Sequence, residues 1–337
     1  MNLRVDHFIR TLPPNLPLAS NNAFSTCCFC NLRSDHEFHS QITIQDRVIL
    51  GEYKWVILGE RSGPFSRKTQ PAKKRSIDNP INPLKAIQAR IEDRLLKRII
   101  LPEHLLGGVK GKSIKDNAIR HLDARYRYLV TIDIKNFFPS ITPQRVLTVW
   151  RTLLNCSPSV AYLLTGLTTC RGRLPQGAPT STLLANLLLS SFDEQIRIVC
   201  ETNGVCYSSW VDDLAFSGDS ASQIVGPVIA VLMKAGFSVS HQKLRVMGPG
   251  DRKILNNLVL GRFVTVQKQY ISRIRAGIHN LTGGKVAVID ADDYVQSLEG
   301  SINYLRLFDT RKADKLQEQL KITLKPTSAS FARRSRE

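Results

Sequence analysis

Three acids at the ends of short apolar runs constrain this chain more than any other feature. Tyr128-Leu129-Val130-Thr131-Ile132 leads into Asp133, and Val205-Cys206-Tyr207-Ser208-Ser209-Trp210 leads through Val211 into Asp212-Asp213, followed by Leu214-Ala215-Phe216-Ser217. Short runs rich in apolar, β-branched and aromatic residues read as strands. If these strands are neighbours, three carboxylates converge at one edge of a sheet, and their mutual repulsion asks for a cation. Mg²⁺ suits the task, because it takes hard oxygen ligands and keeps positions open for phosphate oxygens. Two such ions about 4 Å apart can activate a 3′-hydroxyl and stabilise a leaving pyrophosphate. An Asp-Asp pair alone says little. A second pair, Asp292-Asp293, falls at an expected helix start, where acids favour the helix dipole and need no other role. The aromatic before Asp212-Asp213, the apolar strands around it and the matching strand into Asp133 set it apart.

Charge narrows the class of partner. Lys and Arg number 47 against 28 Asp and Glu among 337 residues, a formal net charge of +19. Such an excess points to a polyanion. The chain is 42% hydrophobic, which excludes global disorder, and no run reaches the roughly 18 apolar residues of a membrane span. The charged start Met1-Asn2-Leu3-Arg4-Val5-Asp6-His7 has no apolar stretch leading to a cleavage site, so a cytoplasmic protein with no membrane partner is expected. Of seven cysteines, Cys156, Cys170, Cys200 and Cys206 lie singly in apolar surroundings and read as small core residues. Cys27, Cys28 and Cys30 with His36 and His39 offer a candidate zinc cluster, although Cys-x-Cys is tighter than the usual spacing.

Between Arg61 and Arg75 lie six basic residues and no acid, punctuated by Gly63, Pro64 and Pro71. After an expected strand at 52–58, this reads as a basic hairpin over a phosphate-bearing ligand rather than a solvated loop. Periodic apolar residues predict helices at 84–100, 113–124, 142–154, 158–169, 178–202, 220–235, 269–281 and 291–320. Asn82 is the expected cap before Pro83, and short strands are expected near 244–247, 254–260 and 263–267. Leu174-Pro175-Gln176-Gly177-Ala178-Pro179-Thr180-Ser181 is a rigid turn before an apolar helix. Gly177 allows close approach of backbone to a ligand, and Gln176 offers donors and acceptors. Between two acidic strands, this turn suggests a surface for the template base or the incoming nucleotide.

These residues, taken together and in order, resemble the bacterial reverse transcriptases. Asp133-Ile134-Lys135-Asn136-Phe137-Phe138-Pro139-Ser140-Ile141 is similar to their motif A and Leu174–Ser181 to motif B. Trp210-Val211-Asp212-Asp213 is similar to motif C, usually Tyr-x-Asp-Asp, and Gly236–Lys243 to motif D. Arg75-Ser76-Ile77-Asp78-Asn79-Pro80 with Leu84–Gln88 resembles the fingers, and Gly300-Ser301-Ile302-Asn303-Tyr304 the thumb. Asn117-Ala118-Ile119-Arg120-His121 fits the Asn-Ala-x-x-His element of retron enzymes. Leu255-Asn256-Asn257 stands where retron enzymes typically carry Val-Thr-Gly.

The resemblance implies an α+β right-hand polymerase whose antiparallel palm sheet carries the catalytic carboxylates. Its divisions would be an N-terminal extension at 1–45, fingers at 46–125, a palm with interleaved fingers helices at 126–262, a thumb at 263–322 and a disordered basic tail at 323–337. Asp133, Asp212 and Asp213, with the Ile134 carbonyl, would hold two Mg²⁺ ions. Lys74 and Arg75 would contact the triphosphate, Phe138 would lie under the incoming sugar, Gln176 would line the nucleotide, and Lys243 would protonate pyrophosphate. Asn117, Ala118, His121, Leu255, Asn256 and Asn257 would meet RNA. The same resemblance implies a retron RNA-directed DNA polymerase acting on dNTPs. A structured noncoding RNA would serve as template and primer for a DNA product branched from a 2′-hydroxyl, in antiphage defence with an effector protein. A non-retron defence or group II-like reverse transcriptase shares every motif except the retron elements. A nucleotidyl cyclase lacks a place for the 174–181 turn, and a scaffold that binds RNA without catalysis would be expected to lose at least one of the three acids.

Overall fold

A computed structural model describes residues 53–58, 75–123, 126–282 and 291–324. The candidate zinc cluster, Lys74 and most of the basic tail lie outside the described residues. The chain divides into two compact units, one running through 53–58 and 75–251, the other through 252–324.

The first unit begins with a hairpin. Strands β1 (Tyr53–Leu58) and β2 (Arg75–Pro80) pair antiparallel with Leu58 opposite Arg75, so the basic segment 59–74 joins two paired strands. Helix α1 (Leu84–Arg94) follows, with a 3₁₀ turn at Leu96–Arg98 in place of the continuous helix expected to residue 100. Pro83, not Asn82, stands at its N-cap, without a side-chain hydrogen bond. Helix α2 (Ile114–Arg120) opens on a capping box. Ser113 Oγ accepts from the Asp116 N–H at 3.3 Å, and Asp116 Oδ2 accepts from the Ser113 N–H at 2.8 Å.

The central sheet is antiparallel, in the order β4 (Cys206–Trp210), β5 (Asp213–Gly218), β3 (Tyr128–Asp133), β6 (Arg245–Met247). Alternation sends Val130 and Ile132 of β3 and Leu214 and Phe216 of β5 into the main core. There they meet Leu84, Ile87 and Ile91 of α1 and Trp150, in the π-helical turn Val149–Leu153 that follows α4 (Pro143–Thr148). Also in this core are residues of α5 (Pro158–Thr168), α6 (Ser181–Ser190) and α8 (Val225–Lys234). A single turn, α3 (Phe137–Ser140), follows β3.

The helix expected over 178–202 is two, α6 and α7 (Asp193–Thr202). The Ser190 and Ser191 hydroxyls donate back to the Leu187 and Leu188 carbonyls at 2.8 and 2.6 Å, competing with the next backbone bonds. Asp193 and Glu194 then occupy the first turn of α7, favoured by its dipole.

The second unit holds a three-stranded meander, β7 (Lys253–Leu255), β8 (Leu258–Leu260) and β9 (Val264–Val266), and three helices, α9 (Lys268–Thr282), α10 (Ala291–Arg306) and α11 (Thr310–Leu324). The single strand expected over 254–260 is a hairpin. Asn256 and Asn257 turn the chain at φ 46° and 66°, and tight hairpin turns of this kind favour Asn. The helix expected over 291–320 breaks at 307–309, where Asp309 Oδ1 accepts the Lys312 N–H at 3.0 Å and starts a new helix.

Candidate active site

The sheet register brings the acids together. Asp133 ends β3 directly opposite Asp213, the first residue of β5, and Asp213 is in turn opposite Trp210 at the end of β4. Val211 and Asp212 therefore form a two-residue hairpin turn. Val211 has φ 62°, a left-handed conformation that a β-branched residue adopts only at a cost of about 1–3 kcal/mol. The Asp212 carbonyl accepts the Ile134 N–H at 2.9 Å, which ties the turn to the end of β3.

The segment after α8 completes the arrangement. The Lys135 N–H donates to the Ser238 carbonyl at 2.8 Å, and the Ser240 N–H to the Asp133 carbonyl at 2.9 Å. The next turn brings Lys243 back, so that its ammonium Nζ lies 2.6 Å from Asp133 Oδ2. Burial pushes the Asp213 carboxyl up to about 6, with the like charges of Asp212 and Asp133 adding to the effect and Lys243 opposing it. Among the described residues no group of three or more His, Cys, Asp or Glu stands as a ready-made metal cage. The donor set nevertheless fits a hard divalent ion. Three carboxylates at one edge raise each other's energy, and a cation relieves the repulsion that Lys243 offsets only in part.

Two helix entries carry the residues expected to meet the nucleotide. On α3, Phe137 is buried and Phe138 half-buried, with ring centroids 5.9 Å apart. Phe137 also meets Phe237 at 5.5 Å, and the Arg145 guanidinium lies 4.3 Å over the Phe237 ring. The two phenylalanines thus take different environments on one helical turn. The turn before α6 docks on β2. The Gln176 carbonyl accepts the Asp78 N–H at 3.0 Å, and Arg173 donates to the buried Asp78 carboxylate at 3.1 Å. A Cβ on Gly177, which has φ 112°, would lie 2.5 Å from Ile77 Cγ2. Glycine is needed there for the approach of the turn to the strand as well as for its φ. Arg75 begins β2, which places it on the strand that this turn grips.

Four residues expected at an RNA surface are in the interior. Asn117, Ala118 and His121 are buried beneath β4 and β5. His121 bonds Ser217 Oγ and Ser208 Oγ through its two ring nitrogens, each at 2.7 Å, and Ser208 Oγ donates to Asn117 Oδ1 at 2.6 Å. The element pins α2 to the sheet and cannot present these side chains to a ligand. Leu255 is likewise buried in its hairpin, leaving Asn257 exposed and Asn256 half-exposed at the tip.

The His121 network carries a pH dependence. Burial, with a smaller push from Arg120, lowers the imidazole to about 3, against an ordinary value of 6.5. The unfolded chain then binds a proton that the fold refuses between those values, so stability falls as pH drops below 6.5 toward 3. Denaturant melts of wild type and His121→Gln at pH 7 and pH 5 should show a smaller acid loss in the variant. An unchanged difference between the two pH values would reject this role.

One further feature escaped the sequence reading. His104 Nε2 lies 2.6 Å from Asp193 Oδ2, both buried, and the chain after His104 runs against Ser209 of β4. A lone His before two leucines carried no pattern to find it by.

Paired carboxylates on adjacent antiparallel strands, a cation at Asp133 and a glycine turn gripping the preceding hairpin are arranged for polymerase chemistry. Residues 66–281 match the family described as reverse transcriptase (RNA-dependent DNA polymerase). The chain belongs to the reverse transcriptase family. Its curated relatives include retron enzymes. The retron Ec86 reverse transcriptase of Escherichia coli is 29% identical over 235 residues, which cover 68% of this chain and 71% of that one. The retron Mx162 reverse transcriptase of Myxococcus xanthus is 30% identical over 283 residues, 73% of this chain and 58% of that one, so this chain spans less than two thirds of that relative. Among solved structures, telomerase from Candida albicans with a fragment of telomeric RNA is 10% identical at a TM-score of 0.44, covering 82% of this reverse transcriptase and 60% of that chain. A foamy viral protease–reverse transcriptase with double-stranded DNA is 18% identical at 0.38, covering 71% and 35%. The antiparallel sheet bearing Asp133 and Asp213 is the palm of an α+β right-hand polymerase. No helix among the described residues is long and apolar enough to cross a membrane.

Proposed function

We propose that this reverse transcriptase makes a branched RNA–DNA product from a structured noncoding RNA that is both template and primer, with two Mg²⁺ ions and dNTPs. The observation that carries the reading is the register that sets Asp133 opposite Asp213 in a chain whose relatives are retron enzymes. Divalent ions held by Asp133, Asp212, Asp213 and the Ile134 carbonyl would supply charge neutralisation at the α-phosphate. The priming 2′-hydroxyl oxygen, and then each 3′-hydroxyl oxygen, would lose its proton to solvent and bond to the α-phosphorus as the bond to pyrophosphate breaks. Lys243, already at the site, is placed to give the departing pyrophosphate a proton. Arg75 with Lys74 reaches the triphosphate, and Gln176 lines the nucleotide.

The fingers take 46–125, the palm 126–262 and the thumb 263–322, and Asn256 and Asn257 at the β7–β8 tip are the RNA contacts that remain from the expected set. The +19 charge suits an RNA partner and makes binding steeply salt-dependent. The product serves in antiphage defence with an effector protein, in the cytoplasm. The test is direct. Purified protein is incubated with the transcribed noncoding segment beside its gene, dNTPs and Mg²⁺. A DNA product that stays joined to RNA through a bond cleaved by debranching enzyme is expected. DNA synthesis without such a junction would point to a non-retron reverse transcriptase.

A further inference from the structure

The segment His104-Leu105-Leu106-Gly107 lies outside every motif that marks the catalytic centre, yet four hydrogen bonds fasten it beside the Asp212-Asp213 turn, two to Ser209 of β4, one to Asp193 of α7 and one to Asn186 of α6. The Ser209 N–H donates to the His104 carbonyl at 2.7 Å and the Leu106 N–H to the Ser209 carbonyl at 2.9 Å, a short parallel ladder on β4. The side chain of His104 is held by Asp193 at 2.6 Å. The Gly107 carbonyl accepts Asn186 Nδ2 at 2.7 Å, from a fully buried amide on α6. Between these anchors Gly107 lies flat on the turn. A Cβ there would overlap the Val211 backbone N and stand 2.6 Å from Val211 Cγ2 and 2.8 Å from the Trp210 carbonyl carbon. Two of these three atoms are backbone and cannot swing away.

We propose that residues 104–107, with Asn186 and Asp193, form a clamp that holds Val211 at its left-handed φ and so positions the Asp212 and Asp213 carboxylates for metal. The inference rests on those carboxylates being the metal site. Strained backbone persists only where its surroundings over-determine it, and Gly107 packs on Val211 so closely that no Cβ fits between them. Asn186 is a positioning residue by the same argument. It connects the helix that follows the nucleotide turn to the loop that braces the acids, so both halves of the site share one support.

The test uses the full chain, a poly(rA)·oligo(dT) primer–template, dTTP and Mg²⁺, with Mn²⁺ binding followed by electron paramagnetic resonance. Gly107→Ala should lower kcat about 100-fold, as small misplacements of reacting groups do. It should weaken Mn²⁺ binding and leave KM for dTTP and primer–template affinity unchanged. Adding Val211→Gly removes the Cγ2 contact and the strain at φ 62° but leaves the two backbone overlaps, so it should recover only part of the lost kcat, which a general loss of stability would not allow. If Gly107→Ala does not fold, Asn186→Ser carries the test, with a loss of about tenfold expected for one displaced hydrogen bond. An active wild type with an equally active clamp variant overturns the clamp alone, as does a double variant no better than Gly107→Ala. A wild type that extends no primer with any divalent ion overturns the metal-site reading and the clamp with it.

Discussion

Asp212→Asn should lower nucleotide addition by several orders of magnitude while RNA affinity stays near that of wild type. The substitution keeps the shape of the turn and the Asp212 carbonyl bond to the Ile134 N–H. It removes one of the negative charges that the incoming cation must neutralise. It also removes a like charge that helps hold the Asp213 carboxyl at about 6, so Asp213 should titrate lower in the variant. In wild type, protons and metal compete at Asp213 as pH falls through 6, and the apparent requirement for Mg²⁺ should rise over that range. Single-turnover incorporation across a pH series, with RNA binding measured in parallel, reads both effects. Near-normal incorporation by the variant would remove the assignment.

Phe138→Val should admit ribonucleotides. The half-buried ring is backed by Phe137, which packs on Phe237 beneath the stacked Arg145 guanidinium, so it cannot retreat into the core. A 2′-hydroxyl pressed against a ring held this way costs about 1–3 kcal/mol of overpacking. It also loses its water partner without gaining another, at a similar cost. Together these support discrimination of about several hundredfold. Phe138→Val should erase most of it while retaining dNTP incorporation, whereas Phe137→Val opens a cavity in the main core and should mainly lower stability. Competition assays giving the rNTP/dNTP ratio of kcat/KM decide the matter. An unchanged ratio for Phe138→Val would leave Phe138 an ordinary packing residue.

The order of elements was legible in the sequence because it depends on local patterns. Apolar runs ending in Asp133 and Asp212 became β3 and the β4–β5 turn, and periodic leucines became α5 and α6. What sequence could not show were side chains acting over distance or against propensity. Ser190 and Ser191 end a helix by bonding its own carbonyls, a choice their residue type permits but does not require. Val211 takes a conformation its own propensity disfavours, because Gly107 and Asn186 support it from far along the chain. His121 matched a family element by spacing, and only the position of Ser208 and Ser217 beside it shows an interior network rather than an RNA contact. The pairing of Asp133 with Asp213 was conditional on two strands being neighbours, a question of topology that no local pattern answers.

That topology governs when the enzyme comes into being. β3 lies between β5 and β6, and both of those neighbours are encoded well after it. As the chain leaves the ribosome, β3 emerges with both hydrogen-bonding edges bare and must wait for Asp213–Gly218 and then Arg245–Met247. Pairings this distant in sequence close large loops and form slowly. A nascent chain that stops short of Met247 carries all three acids but an unfinished palm. An apolar strand with open edges is also the kind of segment that pairs with other chains. The interval before both neighbours arrive is therefore the stage at which pairing with other chains competes with completion of the palm.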